Sequence, residues 1–166
     1  TGSTITRLAT VVVNKNLGSL DASDSTVIAG PDTTWDAGLT VTDEYGNAVD
    51  SSKVTISGAD KVDTTTPGDY DVTYTYTDGT GTEYTKTITV TVVKSKASVD
   101  ADDKTVTVGD TWSAEDSFVD AADADGNALD FSDVTVEGAD DVDTTKAGSY
   151  DVTYSYKDSA GNTVSK

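Results

Sequence analysis

Acidic and amide side chains surround a glycine at two matching points of the chain, and their oxygen atoms are of the kind that binds calcium. In the second half the candidate ligands are Asp123, Asp125, Asn127 and Asp130, around Gly126 and near Asp120. The first half has Asp43, Glu44, Asn47 and Asp50 around Gly46. The spacing fails the EF-hand pattern, because Ala121 and Ser132 occupy the first and twelfth ligand positions. A Gly-Asn hairpin turn on a solvated acidic surface is the favoured interpretation. A third acidic group, Asp100, Asp102 and Asp103, is a weaker calcium candidate.

Two tryptophans, Trp35 and Trp112, are the side chains best suited to stacking on a sugar ring. A single tryptophan in a small domain more often lies in the core, because it buries a large apolar area. Each follows a glycine-containing turn and leads into a predicted strand. The sequence therefore favours a core position for both, and sugar binding remains the alternative.

Catalytic chemistry has little support in this composition. The 166 residues include no His, Cys or Met, which excludes a Ser-His-Asp triad, a cysteine nucleophile and a Cys/His zinc site. Thirty carboxylates place acid pairs everywhere, so their proximity alone identifies no site. A Lys–Asn crosslink would need a buried lysine such as Lys86, but no Asn lies in the middle of a predicted strand. We therefore predict no enzyme activity, no disulfide and no cofactor, with calcium as the one metal left open.

Charge and hydropathy limit the partners. The formal net charge of −19 disfavours nucleic acid, which is bound by clustered Lys and Arg. No apolar run approaches the ~20 residues of a membrane helix, so we predict a protein that does not span a membrane.

Comparison of the chain with itself shows an internal repeat of about 80 residues. The segment 57–65 returns at 137–145, and 70–76 returns as 150–156, both at an offset of 80. Residues 1–21 align with 80–100 at an offset of 79. We divide the chain into residues 1–16, the final strand of a preceding repeat; repeat 1, residues 17–96; and repeat 2, residues 97–166, which lacks its last strand. This arrangement is typical of a fragment of a longer array.

Both repeats are predicted to be all-β. In the strand predicted at 69–77, Tyr70, Val72, Tyr74 and Tyr76 face one way and Asp and Thr residues face the other. A turn then leads to a strand at 82–93, with Tyr84, Ile88, Val90 and Val92 directed inward. Further strands are predicted at 26–29, 39–43 and 53–57, with equivalents at 105–108, 118–122 and 133–137. About seven short strands per repeat indicate a β-sandwich.

The segment Pro67-Gly68-Asp69-Tyr70 has the layout of a tyrosine corner, in which a tyrosine hydroxyl bonds back to the upstream backbone. Val72 and Val152 stand where antibody domains have the second cysteine of their disulfide, so apolar packing replaces the bridge. With the strings 62–78 and 147–162, these features resemble the bacterial immunoglobulin-like repeat of the group 3 type. Repeat 1 departs from the pattern with Gly81-Thr82 where repeat 2 has Gly161-Asn162.

The resemblance implies two tandem immunoglobulin-like β-sandwich repeats from a secreted or wall-anchored protein, mostly of Gram-positive bacteria. It implies an extracellular structural module, a stalk or spacer or an adhesion module, whose partners are neighbouring repeats. A carbohydrate- or host-protein-binding module of an adhesin or a secreted hydrolase is one alternative. An S-layer or fibre subunit is another.

The N-terminal segment supplies a prediction of assembly. Ala9, Val11 and Val13 match the inward residues of the strand that repeat 2 lacks, and residues 1–16 carry a net charge of +2 against −13 on repeat 2. We predict that residues 4–14 complete repeat 2 of a neighbouring molecule, head to tail. The competing hypothesis is an extra edge strand along repeat 1.

Overall fold

A computed structural model describes residues 1–166 and places two β-sandwich repeats in series. In repeat 1 the strands are β1 (Ser19–Asp21), β2 (Ser25–Ile28), β3 (Thr40–Thr42), β4 (Thr55–Ser57), β5 (Gly68–Thr77) and β6 (Glu83–Val93). One sheet has the order β2-β6-β5-β4, and the other pairs β1 with β3. Short 3-10 turns at Ser51–Lys53 and Ala59–Lys61 flank β4. The all-β fold class predicted from the sequence is therefore confirmed.

The core of repeat 1 lies between these two sheets. Val72, Tyr74 and Val90 are fully buried, and the core is closed on the other side by Val41 of the smaller sheet and by Ala22, directly after β1. The outer face carries hydroxyl pairs such as Thr73–Thr87, whose oxygens are 2.9 Å apart. The predicted inward and outward faces of β5 and β6 are thus confirmed, because strict alternation leaves each strand one apolar face.

Repeat 2 contains β7 (Ser98–Ala101), a one-turn helix α1 (Ala114–Ser117), β8 (Phe118–Ala122), β9 (Thr135–Glu137), β10 (Thr153–Lys157) and β11 (Thr163–Ser165). Its sheets have the orders β7-β8 and β11-β10-β9. A three-residue insertion between Trp112 and β8, relative to repeat 1, accommodates α1, which the sequence pattern did not reveal. The buried core is smaller and consists of Ala121, Val134 and Tyr154.

Two strand predictions in repeat 2 are wrong. Residues 105–108 form no strand. The repeat 2 equivalent of the strand predicted at 69–77, expected over 150–156 from the offset of 80, begins only at Thr153. In repeat 1 the equivalent of 105–108 is β2, which pairs in parallel with Ser25 opposite Val90 and Ile28 opposite Val93 of β6. The first half of β5 likewise pairs with the second half of β6. Residues 97–166 contain no counterpart of that half-strand, so neither segment has a ladder partner.

Residues 1–18 belong to no strand. The side chains of Ile5, Leu8, Val11 and Val13 are almost fully exposed. The competing hypothesis of an extra edge strand on repeat 1 is therefore wrong. The segment bonds to repeat 1 near its end, where the side-chain amide of Asn16 donates to the Asp78 carboxylate at 2.6 Å. Lys86 is exposed, which removes the buried lysine that a covalent crosslink would need. No helix is long and apolar enough to cross a membrane.

Candidate functional site

The joint between the two repeats is the most highly connected site that the fold creates. The turn between β10 and β11 of repeat 2, residues 158–162, lies against the end of β2 in repeat 1. The amide of Asn162 donates to the Ala29 carbonyl at 2.8 Å, and the Asp32 backbone N–H donates to the Ala160 carbonyl at 2.9 Å. Lys157 forms an exposed ion pair with Asp32 at 2.9 Å. These bonds connect repeat 2 to repeat 1 at points separate from the linker, residues 94–96, which joins the two repeats along the chain.

A buried carboxylate, Asp158, connects this turn to the linker. Its side chain accepts hydrogen bonds from the Ser95 hydroxyl at 2.5 Å, from the amide of Asn162 at 3.0 Å and from two backbone N–H groups of the turn. Burial opposes its ionisation, but these donors outweigh burial and lower the pKa of Asp158. The carboxylate therefore stays charged at neutral pH and holds the linker to the turn.

Repeat 1 has the same arrangement at Asp78. This carboxylate, which is 6% exposed, accepts from the amide of Asn16 at 2.6 Å and from the hydroxyl of Tyr84 at 3.0 Å. Thr80 and Thr82 supply further donors from the turn. Burial opposes ionisation here too, yet the donors lower the pKa of Asp78 well below its usual range. Asn16 and Ser95 are equivalent positions, so each repeat binds the linker that precedes it.

An open groove of about 660 Å³ runs along repeat 2. It is bordered by the segment 101–108, by Trp112 and by residues 146–152. Val106 and Val108 are exposed at its rim. Their counterparts bond to β6, because Val27 pairs with Val92 and the Ala29 N–H donates to the Val93 carbonyl. The groove therefore occupies the place that the second half of β6 fills in repeat 1.

The tyrosine corner is confirmed in both repeats. The Tyr70 hydroxyl donates to the Thr66 carbonyl at 2.9 Å, and the Tyr150 hydroxyl donates to the Asp143 carbonyl at 3.0 Å. Tyr150 is 37% exposed, so its acceptor is accessible to water. The bond fixes the start of the strand but stabilises it less than a buried bond would.

The two tryptophans differ in their surroundings. Trp35 is half-buried; it packs against the core of repeat 1 and donates from its indole nitrogen to Ser25 at 2.9 Å, so it lies at the edge of the core rather than within it. Trp112 is half-buried at the groove of repeat 2 and donates to Ser117 at 3.2 Å. Neither side chain is a fully exposed platform for a sugar ring.

The calcium candidates of repeat 2 form a closed turn rather than a common ligand sphere. Asp123 accepts from the backbone N–H groups of Asp125 and Asn127 and from the Asn127 amide, and that amide bond contributes most to lowering the pKa of Asp123. Asp130 instead begins a 3-10 turn and binds Asp133 through its backbone N–H. Asp43 and Asn47 repeat the same turn in repeat 1. No group of three or more acidic side chains is arranged to hold a metal ion. Calcium binding stays a prediction.

Sequence reasoning missed the joint. The signal was present, because Asp78 and Asp158 both open a hairpin turn, and the polar residues Asn16 and Ser95 occupy aligned positions at an offset of 79. Only the folded chain shows that each turn reaches back to the preceding linker.

Comparison with solved structures gives weak global superpositions. A structure of Clostridium perfringens ZmpB with CBM51-2 in complex with GlcNAc and INT domains aligns at a TM-score of 0.40 and 18% identity, over 84% of this chain and 29% of that chain. A lipoprotein from Bacteroides thetaiotaomicron aligns at a TM-score of 0.39 and 19% identity, over 86% of this chain and 62% of that chain. The chain thus spans less than two thirds of the length of either structure. None of the curated proteins matches the sequence closely enough to count as a relative.

Family models match both repeats. Residues 19–92 match the immunoglobulin-like domain of bacterial surface proteins, and residues 99–165 match the bacterial immunoglobulin-like domain of group 3. Domain families of this type are generally non-catalytic. The strand order, the tyrosine corners and these matches agree, and the chain therefore belongs to the bacterial immunoglobulin-like domains, of which it holds two in tandem.

Proposed function

We propose that this chain is a non-catalytic spacer of an extracellular bacterial surface protein, either anchored to the wall of a Gram-positive cell or secreted. The observation that carries the proposal is the joint between repeats. A spacer must transmit direction as well as length, and a linker without further contacts would leave the repeats free to swing. Hydrogen bonds from Asn162 to Ala29 and from Asp32 to Ala160 restrict that swing.

The surface of the chain suits this role. A net charge of −19 favours solubility and discourages association of parallel stalks at low ionic strength. The outward faces of β5 and β6 consist mainly of Thr and Asp side chains and expose little apolar surface, so they offer no large apolar docking surface. Adhesion to carbohydrate or to a host protein has less support, because Trp35 packs against the core of repeat 1 and Trp112 is half-buried beside the groove of repeat 2.

The experiment is a distance measurement between the repeats. The chain has no cysteine, so Ser52→Cys and Asp125→Cys place one spin label on each repeat. We expect a narrow distance distribution by pulsed electron resonance, and a broader one when Asn162→Ala and Ser95→Ala remove two bonds of the joint. The matched control is Thr82→Ala with Asn16→Ala, which alters the equivalent positions of repeat 1 and should leave the distribution narrow. A broad distribution in the unaltered chain would remove the support for a spacer.

A second function, self-assembly into fibres by strand complementation, is favoured by the groove of repeat 2 and the exposed segment 1–16. We propose that residues 4–14 of a second copy enter the groove, because Ala9, Val11 and Val13 stand at the positions of Ile88, Val90 and Val92. These three β6 residues are almost fully buried in repeat 1. Opposite net charges on the segment and on repeat 2 add attraction.

Light scattering of the 166-residue chain tests this assembly. The mass should rise with concentration, and deleting residues 1–14 should leave a monomer. A synthetic peptide of residues 4–14 should then bind the shortened chain, whereas the same peptide with Ala9, Val11 and Val13 changed to Ser should not. If the intact chain is monomeric at millimolar concentration and neither peptide binds, complementation between copies is wrong. A peptide of residues 83–93 that binds alone would instead show that the groove takes a strand of the β6 type from another source.

A further inference from the structure

The hairpin tips of the two repeats have the same internal chemistry. In repeat 1 the tip comprises residues 78–82, and in repeat 2 residues 158–162. In each, the Asp backbone N–H donates to the carbonyl four residues later, and the glycine N–H donates back to the Asp carbonyl. The glycines, Gly81 and Gly161, have positive φ angles of 85° and 87°. Each tip also holds the linker residue that precedes its repeat, Asn16 or Ser95.

The two tips differ in what covers them. In repeat 2, Ala160 is 3% exposed because the loop at Gly30 and Asp32 of repeat 1 lies on it. A side chain at Gly30 would collide with the backbone of Ala160, so this close approach needs glycine. In repeat 1 the equivalent Thr80 is exposed, and no atom lies within 4 Å of the position that a side chain at Gly81 would take.

We infer that the tip at residues 78–82 is the docking face for another immunoglobulin-like repeat of the same kind. The partner would present the counterpart of residues 29–32, with glycine at the position of Gly30. The backbone N–H of the residue equivalent to Asp32 would donate to the Thr80 carbonyl, as Asp32 donates to Ala160 in the existing joint. The inference rests on the proposed spacer function, and it is an extension of the joint already present between repeats 1 and 2. Repeat 2 keeps a glycine, Gly109, at the position of Gly30.

The composition of the tip sets the character of this second joint. Thr82 stands in place of Asn162, and Thr77 stands in place of Lys157. The side-chain bond to the Ala29 carbonyl and the ion pair with Asp32 therefore have no equivalent. Two features of the existing joint remain: the close fit of the Gly30 backbone against the tip, and the backbone hydrogen bond made by the residue equivalent to Asp32. The joint at the repeat 1 tip is consequently weaker than the joint between repeats 1 and 2 and less dependent on salt.

A three-repeat chain provides the test. Thr1 aligns with Thr80, so placing a copy of residues 18–79 directly before Thr1 builds an additional repeat whose closing strand is the existing N-terminal segment. Hydrogen exchange is measured at the Thr80 and Thr82 amides. We expect exchange about tenfold slower than in the 166-residue chain, since docking adds cover to a solvent-exposed turn. The matched control replaces the glycine equivalent to Gly30 in the added copy by Val, which should abolish the slowing.

Unchanged exchange at Thr80 and Thr82 beside a folded added repeat would overturn the inference. A second measurement stands if the added repeat does not fold. Gly30→Val in the 166-residue chain should speed exchange at Ala160 and Asn162 toward the rates of Thr80 and Thr82. If Gly30→Val leaves the exchange rate of the Ala160 amide unchanged, docking does not cover the tip, and this result also overturns the inference. Failure of the spacer function would appear separately, as a broad distance distribution between repeats 1 and 2.

Discussion

Val72 and Val152 occupy the same place in two nearly identical stretches of sequence, yet Val72 is fully buried and Val152 is only half-buried. The flanking residues are Tyr-Asp-Val-Thr-Tyr in both repeats. In repeat 1 the valine lies opposite Ile88 of β6, and β2 closes the far side of that strand. In repeat 2 the corresponding space is the groove. Alternation of apolar residues selects the inward face, but a neighbouring strand is needed to bury it.

Completing repeat 2 should have the largest effect. Lys166 aligns with Lys86, so a copy of Thr87–Val93 added after Lys166 supplies the missing half-strand. We expect repeat 2 to gain several kcal/mol, because each buried Ile or Val contributes about 1.5–3 kcal/mol. Urea unfolding followed by Trp112 fluorescence, in a Trp35→Phe background, measures the gain. The control carries Ser in place of the three inward residues of the graft, the copies of Ile88, Val90 and Val92. Equal urea midpoints for graft and control would contradict the assignment of the groove to this half-strand.

Truncation of the matched valines comes next. Val72→Ala should cost about 2 kcal/mol, because it leaves a cavity in a closed core. Val152→Ala should cost less than half as much, since that side chain already faces an open groove. Single-tryptophan variants allow each repeat's urea midpoint to be read separately. Equal losses in the two repeats would contradict the difference in core closure.

Acid should weaken the carboxylate contacts of both linkers. The folded-state pKa values of Asp78 and Asp158 lie below the unfolded value of about 3.9. Their contribution to stability is therefore present above about pH 4 and is lost as the pH falls through the folded pKa. Asp78→Asn and Asp158→Asn should destabilise their own repeats at pH 7, and the difference from the unaltered chain should shrink in acid. If the difference in unfolding free energy between the variants and the unaltered chain is the same at pH 7 and pH 2, the carboxylates do not hold the linkers through their charge.

The tyrosine corners should contribute less to the free energy of unfolding than the buried valines and carboxylates do. Tyr70→Phe and Tyr150→Phe each remove one hydrogen bond to the upstream backbone, with an expected cost of about 0.5–1 kcal/mol. This is below the 1–2 kcal/mol that a buried acceptor would imply for Tyr150, because the acceptor is accessible to water. Asp151→Ser, on the exposed face, serves as the matched control and should be neutral. Thermal unfolding that gives Tyr150→Phe and Asp151→Ser the same midpoint would show that the corner is not stabilising.

Salt and calcium should have the smallest effect on stability, measured as the melting temperature of each repeat. Repeat 2 has a net charge of −13 against −8 for repeat 1, so sodium chloride should raise the melting temperature of repeat 2 more. Millimolar calcium should raise it further only if Asp123, Asp125, Asn127 and Asp130 bind the ion. Magnesium at matched ionic strength is the control. Equal effects of the two ions would count against a specific calcium site.

Much of the fold could be predicted because it depends on local order. Alternation along residues 70–76 identified the buried face, the 80-residue offset identified two copies, and Gly68-Asp69-Tyr70 indicated the corner. The failures share one cause. Residues 105–108 and 150–152 both carry the pattern of a strand. Their equivalents in repeat 1 pair with the second half of β6, so each needs that third segment before it can form a ladder.

The sequence by itself determined the composition of each repeat, the direction of its side chains and the absence of His and Cys chemistry. Only the tertiary structure decided that Asp78 and Asp158 bind the linkers, that one hairpin tip is covered by a neighbouring repeat, and that Trp112 borders a groove. The physical reason is the distance along the chain between the interacting residues. Side-chain alternation acts between adjacent residues, whereas a buried carboxylate becomes stable only when donors 62 or 63 residues away reach it.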